Sequence, residues 1–242
     1  MTEIMRRLFL VAALAMPIAA QAGELDEARV KQLVYEAIRE NPDIVMEALA
    51  ALQQRQAEAE TAAKADVLAN ERELIERDPN APVAGNPDGD VTVVEFFDYN
   101  CPYCRRAAPE VEALIAADTG IRLVYREWPI LGDGSVFAAR AALAARAQGK
   151  YEEFHKAMMR LNGRAEETSV LRVAAEIGLD IDRLRQDMTA PEVDAHIATS
   201  MRLTQALGFQ GTPSFVIGET LLAGFAAREE LTKLVADSRA SD

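Results

Sequence analysis

Val91-Thr92-Val93-Val94-Glu95-Phe96-Phe97-Asp98, with Cys101-Pro102-Tyr103-Cys104 three residues further on, is the stretch on which the reading of this chain turns. A run of β-branched and aromatic residues with almost no polar alternation marks a strand buried on both faces. Cys101 then falls where a helix N-cap would lie, and Pro102 takes the first helical position, where its missing N–H is one the helix leaves unpaired anyway. Two cysteines three apart on the first turn of a helix come within disulfide reach. The unpaired backbone N–H groups and the helix dipole favour a thiolate on Cys101, which makes it the attacking or leaving sulfur. Cys104, one turn inward, is expected to be less exposed and to resolve the mixed disulfide formed at Cys101. Glu95 shares a strand face with Val93 and Phe97, where burial raises a carboxyl pKa; it is expected to shuttle the Cys104 proton. The alternative for Glu95 is an exposed charge at a strand edge.

C-terminal to the motif, Pro109 to Ala117 reads as helix and Ile121 to Glu127 as a second strand. From Ser135 to about Leu207 the pattern is helix after helix, jointed at Gly149, Asn162-Gly163 and Gly178. Ser214-Phe215-Val216-Ile217 and Thr220-Leu221-Leu222-Ala223 flank Gly218 as a hairpin, and Arg228 to Val235 closes the chain as a helix. This is an α/β domain, spanning 79–242, with a helical insertion at about 135–207. Gly132-Asp133-Gly134 is a turn and lacks the spaced glycines and lysine of a phosphate loop.

N-terminal to Pro79, residues 23–78 read as a helical arm with a break at Asn41-Pro42-Asp43, where Asn41 is expected as N-cap and Pro42 at the first helical position. The second helix is expected to run to Arg77, about 36 residues or on the order of 54 Å. Its apolar residues crowd at the start (Ile44, Val45, Leu49, Leu52) and at the end (Val67, Leu68, Leu74, Ile75), so no continuous coiled-coil seam is present. Two readings stand side by side: a solvated linker helix, or a homo-oligomerisation module in residues 25–52 joined to the domain by a polar rod. Ahead of the arm, Arg6-Arg7, the nine apolar residues Leu8 to Met16 and the triplet Ala20-Gln21-Ala22 read as a secretory signal peptide over 1–22. A spanning helix needs about 20 apolar residues. The expected location is therefore the periplasm, where disulfides persist and a close cysteine pair favours redox chemistry.

Composition narrows the classes further. The chain has 242 residues and 26 Lys plus Arg against 39 Asp plus Glu, a net charge of −13 that repels phosphate backbones, so nucleic acid is not an expected partner. Two cysteines are too few for a disulfide framework or a four-thiolate zinc site, and a tetrahedral cysteine–histidine site would use both of them together with His155 and His196. No metal and no cofactor beyond the redox-active pair Cys101–Cys104 is called for. A different class of function uses the same sulfurs, reduced, as Cu(I) ligands, with help from His155, Met158 and Met159; packing is the simpler role for those three, and His196 reads as structural.

The segments Glu95 to Cys104, Arg126-Glu127-Trp128-Pro129-Ile130-Leu131-Gly132 and Gly211-Thr212-Pro213-Ser214-Phe215 together resemble the DsbA-like thioredoxin-fold family, over roughly Pro82 to the C-terminus. With the helical arm and Asn41-Pro42-Asp43, the chain is most similar to the suppressor-of-copper-sensitivity C proteins of that family. The resemblance implies a thioredoxin fold, a cis Pro213 facing the cysteines, and Thr212-Pro213 as the place where an extended client pairs. It also implies cysteine-containing exported clients and a membrane redox partner that resets the cysteines. Strongly oxidising members carry a histidine between the cysteines; Tyr103 stands there in this chain. Members with an oligomerising arm and a threonine before the cis proline tend to be isomerases. Isomerase or reductase, and monomeric dithiol oxidase, are the two directions of exchange carried forward.

Overall fold

The computed structural model describes residues 26–241, so the expected signal peptide and Leu25 lie outside the described residues. The described chain divides into two compact units, one ending at Gln56 and the other beginning at Ala57.

The first unit holds α1 (Glu27–Glu40) and the start of α2 (Asp43–Arg77). Asp26 caps α1, its carboxylate accepting the Arg29 N–H at 2.7 Å. Asn41 differs from its expected role: it closes α1, donating its N–H to the Ala37 carbonyl at 3.0 Å, and α2 begins at Asp43. The break is where proline and asparagine put it, but one asparagine serves the end of the first helix, while its carbonyl still accepts the Ile44 N–H. Every described residue of this unit is exposed, including Val30, Leu33, Val34, Tyr35, Ile44, Met46 and Leu52.

The second unit is built on a five-stranded sheet in the order β1-β3-β2-β4-β5, from β1 (Val83–Gly85), β2 (Val91–Phe97), β3 (Ile121–Glu127), β4 (Ser214–Ile217) and β5 (Thr220–Ala223). β2 runs parallel to β3 and antiparallel to β4, and the outer pairs are antiparallel. Its central position explains the unbroken apolar run: all seven residues of β2 are buried. Val93 and Phe97 face one core layer with Leu123 and Tyr125, under α3 (Pro102–Ala117) and α9 (Arg228–Ser241). Val94, Phe96 and Val124 face the other with Leu68 and Ile75 of α2. The insertion is α4 (Asp133–Ala145), a 3₁₀ turn at Arg146–Gln148, α5 (Tyr151–Met159), α6 (Glu167–Glu176), α7 (Ile181–Asp187) and α8 (Pro191–Ala206).

α3 starts at Pro102, where the sequence reading placed it, and runs through Pro109 without interruption. Two differences from the sequence reading have local causes. β1 lies inside the proline- and glycine-rich connection and is too short for a periodicity to show. The arm expected over 23–78 gives up its last third to the domain, because Leu68 and Ile75 are buried in the core and Asp78 pairs at 2.7 Å with the fully buried Arg126 of β3.

Candidate active site

The site is assembled where β2 ends and α3 begins. Cys101 is the N-cap of α3 and Pro102 its first residue, as the sequence reading placed them. The turn before them is organised by Asp98. Its carbonyl accepts the Cys101 N–H at 3.0 Å, one carboxylate oxygen accepts the Asn100 N–H at 2.7 Å, and the other accepts the N–H groups of Ile130 and Leu131 at 2.8 and 3.0 Å. One short side chain thus fixes the redox turn and the loop after β3 together.

Cys101 and Cys104 are both free thiols, 5% and 0% exposed. The Cys104 thiol, hydrogen-bonded to the Cys101 sulfur, is the largest influence drawing the Cys101 pKa down to about 5; burial opposes it, and the Thr212 hydroxyl and the backbone N–H groups of Cys104 and Tyr103 add to it. Burial pushes Cys104 well up, with the Cys101 sulfur and the Glu95 charge acting the same way. The pair is therefore split in acidity, as an attacking sulfur and a resolving sulfur require. Glu95 is 1% exposed, one carboxylate oxygen has no partner, and burial raises its pKa to about 8.

The Thr212–Pro213 bond is cis, and the Cys101 Sγ lies 3.1 Å from the Thr212 carbonyl. Pro102 and Tyr103 are exposed on the outer side of the helix start, and the Arg106 guanidinium carbon stands 5.8 Å from the Tyr103 ring centre. The structure thus brings Cys101, Cys104, Glu95, Thr212 and Pro213 to one end of the sheet.

Residues 92–236 match the family model of the DSBA-like thioredoxin domain. The chain belongs to the DSBA-like thioredoxin family. Residues 26–59 of this DSBA-like protein also match the model of the copper resistance protein ScsC N-terminal domain. A thioredoxin-like oxidoreductase from Silicibacter pomeroyi DSS-3 is 63% identical, covering 71% of this chain and 99% of its own, with a TM-score of 0.70. A linker-deletion mutant of Proteus mirabilis ScsC is 25% identical over 91% of this chain and 100% of its own, TM-score 0.69. The thiol–disulfide exchange protein alpha-DsbA2 from Wolbachia pipientis is 30% identical over 74% and 97%, TM-score 0.69. Among curated proteins the chain is similar to 147 residues of Na(+)/H(+) antiporter NhaA 3 from Salinispora tropica, at 32% identity; it spans only 22% of that protein's length. No helix among the described residues is long and apolar enough to cross a membrane.

The remaining histidine and methionine candidates of this DSBA-like protein are core residues. His155 is enclosed by the rings of Phe97, Tyr99, Tyr125 and Tyr151, its Nδ1 lies 3.2 Å from the Tyr99 hydroxyl, and burial lowers its pKa to about 3. Met158 and Met159 are buried beside it in chain order. His196 accepts the Glu127 N–H at 3.2 Å and stands 3.1 Å from the Asn80 carbonyl. Sequence reasoning passed over Asp98, Asn100, Arg105 and Glu127 as individuals. Asp98 carried a usable signal, a carboxylate at a strand end two residues before a backbone N–H it turns back to bind. Glu127, buried and bonded by the Tyr151 hydroxyl at 2.7 Å, carried none.

Proposed function

We propose that the chain is an exported, periplasmic thiol–disulfide oxidoreductase acting on protein disulfides through Cys101 and Cys104. The observation that carries it is the divided acidity of the pair: Cys101 at a helix start with its pKa drawn to about 5, and Cys104 buried with its pKa raised. In the reducing direction the Cys101 thiolate attacks a client disulfide, the client S–S bond breaks, a mixed disulfide forms and the departing client sulfur takes up a proton. Cys104 then loses its proton and attacks Cys101, which closes the Cys101–Cys104 disulfide and releases the second client thiol. In the oxidising direction a client thiolate attacks Cys101 of that disulfide and Cys104 leaves. Glu95, largely protonated near neutral pH, supplies the proton to the departing Cys104 sulfur. Electrons pass between sulfurs throughout, so no further cofactor is required.

The clients are cysteine-containing exported proteins, whose extended chain pairs with the backbone beside Thr212 and Pro213. A membrane redox partner restores the cysteines after each net oxidation or reduction. Isomerisation or reduction is favoured over net oxidation, because Tyr103 supplies no cation between the cysteines and the exposed apolar residues of 26–56 suit a homo-oligomer. A Cu(I) role would rest on the two sulfurs alone, since His155, Met158 and Met159 are committed to the core.

The test is disulfide turnover without metal: reduction of a protein disulfide and recovery of a scrambled substrate by the wild type, Cys101→Ser and Cys104→Ser. Loss with Cys101→Ser and trapping of mixed disulfide with Cys104→Ser are expected. Undiminished exchange by Cys101→Ser overturns the reading.

A further inference from the structure

Arg105 follows the redox pair in α3 and is turned back toward the residues that precede it. Its Nε donates to the Tyr99 carbonyl at 2.8 Å, and its Nη1 donates to the carbonyls of Leu161 and Gly163 at 3.0 and 2.7 Å. Its Nη2 is buried with no hydrogen-bond partner. Asn100 makes a second set of ties to the same region: its amide nitrogen donates to the Ala165 carbonyl at 3.0 Å and its oxygen accepts the Ala165 N–H at 2.7 Å. Gly134 of α4 makes room for this approach, since a Cβ there would stand 2.1 Å from the Ala165 carbonyl oxygen. The irregular segment between α5 and α6 thus has its backbone groups taken up by side chains, where a surface loop ordinarily gives them to water.

The charged and titratable groups around the cysteines come from four elements. α3 contributes Cys104, Arg105 and, against the Tyr103 ring on the exposed side, Arg106; the preceding turn contributes Asp98, β2 Glu95, and the α5–α6 segment Arg164. Burial, with a smaller push from Arg164, draws the Arg105 pKa below its ordinary value, while Asp98 and Cys101 act to keep it charged. Such an interaction is reciprocal: a cation favoured by the Cys101 charge favours that charge in return.

We propose that Arg105 is the positioning residue of the redox motif: by joining the Tyr99 carbonyl to those of Leu161 and Gly163 it docks the α5–α6 segment beside the active-site turn and holds a cation there that favours ionised Cys101. The inference rests on the exchange chemistry proposed for Cys101 and extends it to a charge that the residue between the cysteines does not provide.

The experiment is titration of Cys101 in the reduced full chain, as wild type, Arg105→Met and Arg105→Lys at low salt, with thermal melts and backbone amide exchange of residues 161–165. Arg105→Met is expected to raise the Cys101 midpoint by roughly half a unit to one unit, a roughly three- to tenfold fall in the thiolate-to-thiol ratio. Arg105→Lys keeps the charge but has no planar fork to join three carbonyls, so it should hold the midpoint closer to wild type while amide exchange in 161–165 accelerates about tenfold or more. Equal midpoints in wild type and a folded Arg105→Met overturn the proposal. Should Arg105→Met not fold, Arg105→Lys decides it: unchanged amide exchange in 161–165 overturns the docking role. Failure of the exchange reading looks different, since the wild type would then titrate as an ordinary thiol and leave protein disulfides intact.

Discussion

At the scale of single residues, the site separates groups by acidity, and each separation has a measurable sign. Thiolate absorbance of the reduced protein should disappear on acidification with a midpoint near 5, and Cys101→Ser should abolish the transition. A thiol whose pKa is lower folded than unfolded stabilises the reduced protein fully above the unfolded value, and that contribution is lost as pH falls toward 5. Glu95 runs the other way. Its folded pKa of about 8 exceeds the ordinary 4.5, so its contribution is most favourable below 4.5 and is lost as pH rises toward 8. Glu95→Gln should therefore stabilise the protein at pH 8, on the order of a few kcal/mol, with the gain vanishing near pH 4. Denaturant midpoints at both pH values check this; equal differences at the two would remove Glu95 from the buried titrating groups. Cys101, Cys104 and Glu95 were legible in sequence because strand alternation and helix start fix where they point. Asp98 offered only its local turn, and its ties to Ile130 and Leu131, like those that carry Asn100 and Arg105 to the α5–α6 segment, were not legible, because these partners lie 32 to 65 residues away.

At the scale of elements, most of the sheet and the helical insertion could be read from residue pattern. β2 announced itself by an unbroken apolar run, and the β4–β5 hairpin by two short apolar stretches about Gly218. What periodicity could not give is where an element stops being its own and joins a neighbour. The last third of α2 looks like more of the same polar helix, yet Leu68 and Ile75 are buried. Gly134 is a comparable case: read as part of a turn, it is the point where α4 meets the Ala165 carbonyl. Gly134→Ala improves helix propensity by about 1 kcal/mol. The clash with backbone outweighs that gain, so a net loss of roughly 1–3 kcal/mol is expected in a denaturant melt. Faster amide exchange at Ala165 should accompany it; a stabilised variant would show that the α5–α6 segment yields freely.

For the whole molecule, the exposed side chains of the first unit carry the main expectation. Val34, Tyr35 and Met46 are 51%, 65% and 65% exposed, a density of bare apolar surface that suits burial against another copy. A truncation beginning at Ala57 leaves Leu68, Ile75 and the Asp78–Arg126 pair in place, whereas a cut at residue 78 would strip the core. The truncated chain should keep the Cys101 titration and simple disulfide reduction, fall to a smaller species in light scattering, and lose most recovery of a scrambled substrate. A full chain that scatters as a monomer would leave 25–52 as a tether.

Cys101 as a residue is only 5% exposed, and its sulfur lies beside the Thr212 carbonyl. A rigid finished surface presents a disulfide to so buried a residue less readily than a loose, unfinished chain does. Under the proposed exchange activity, access alone would then favour half-built proteins over completed ones.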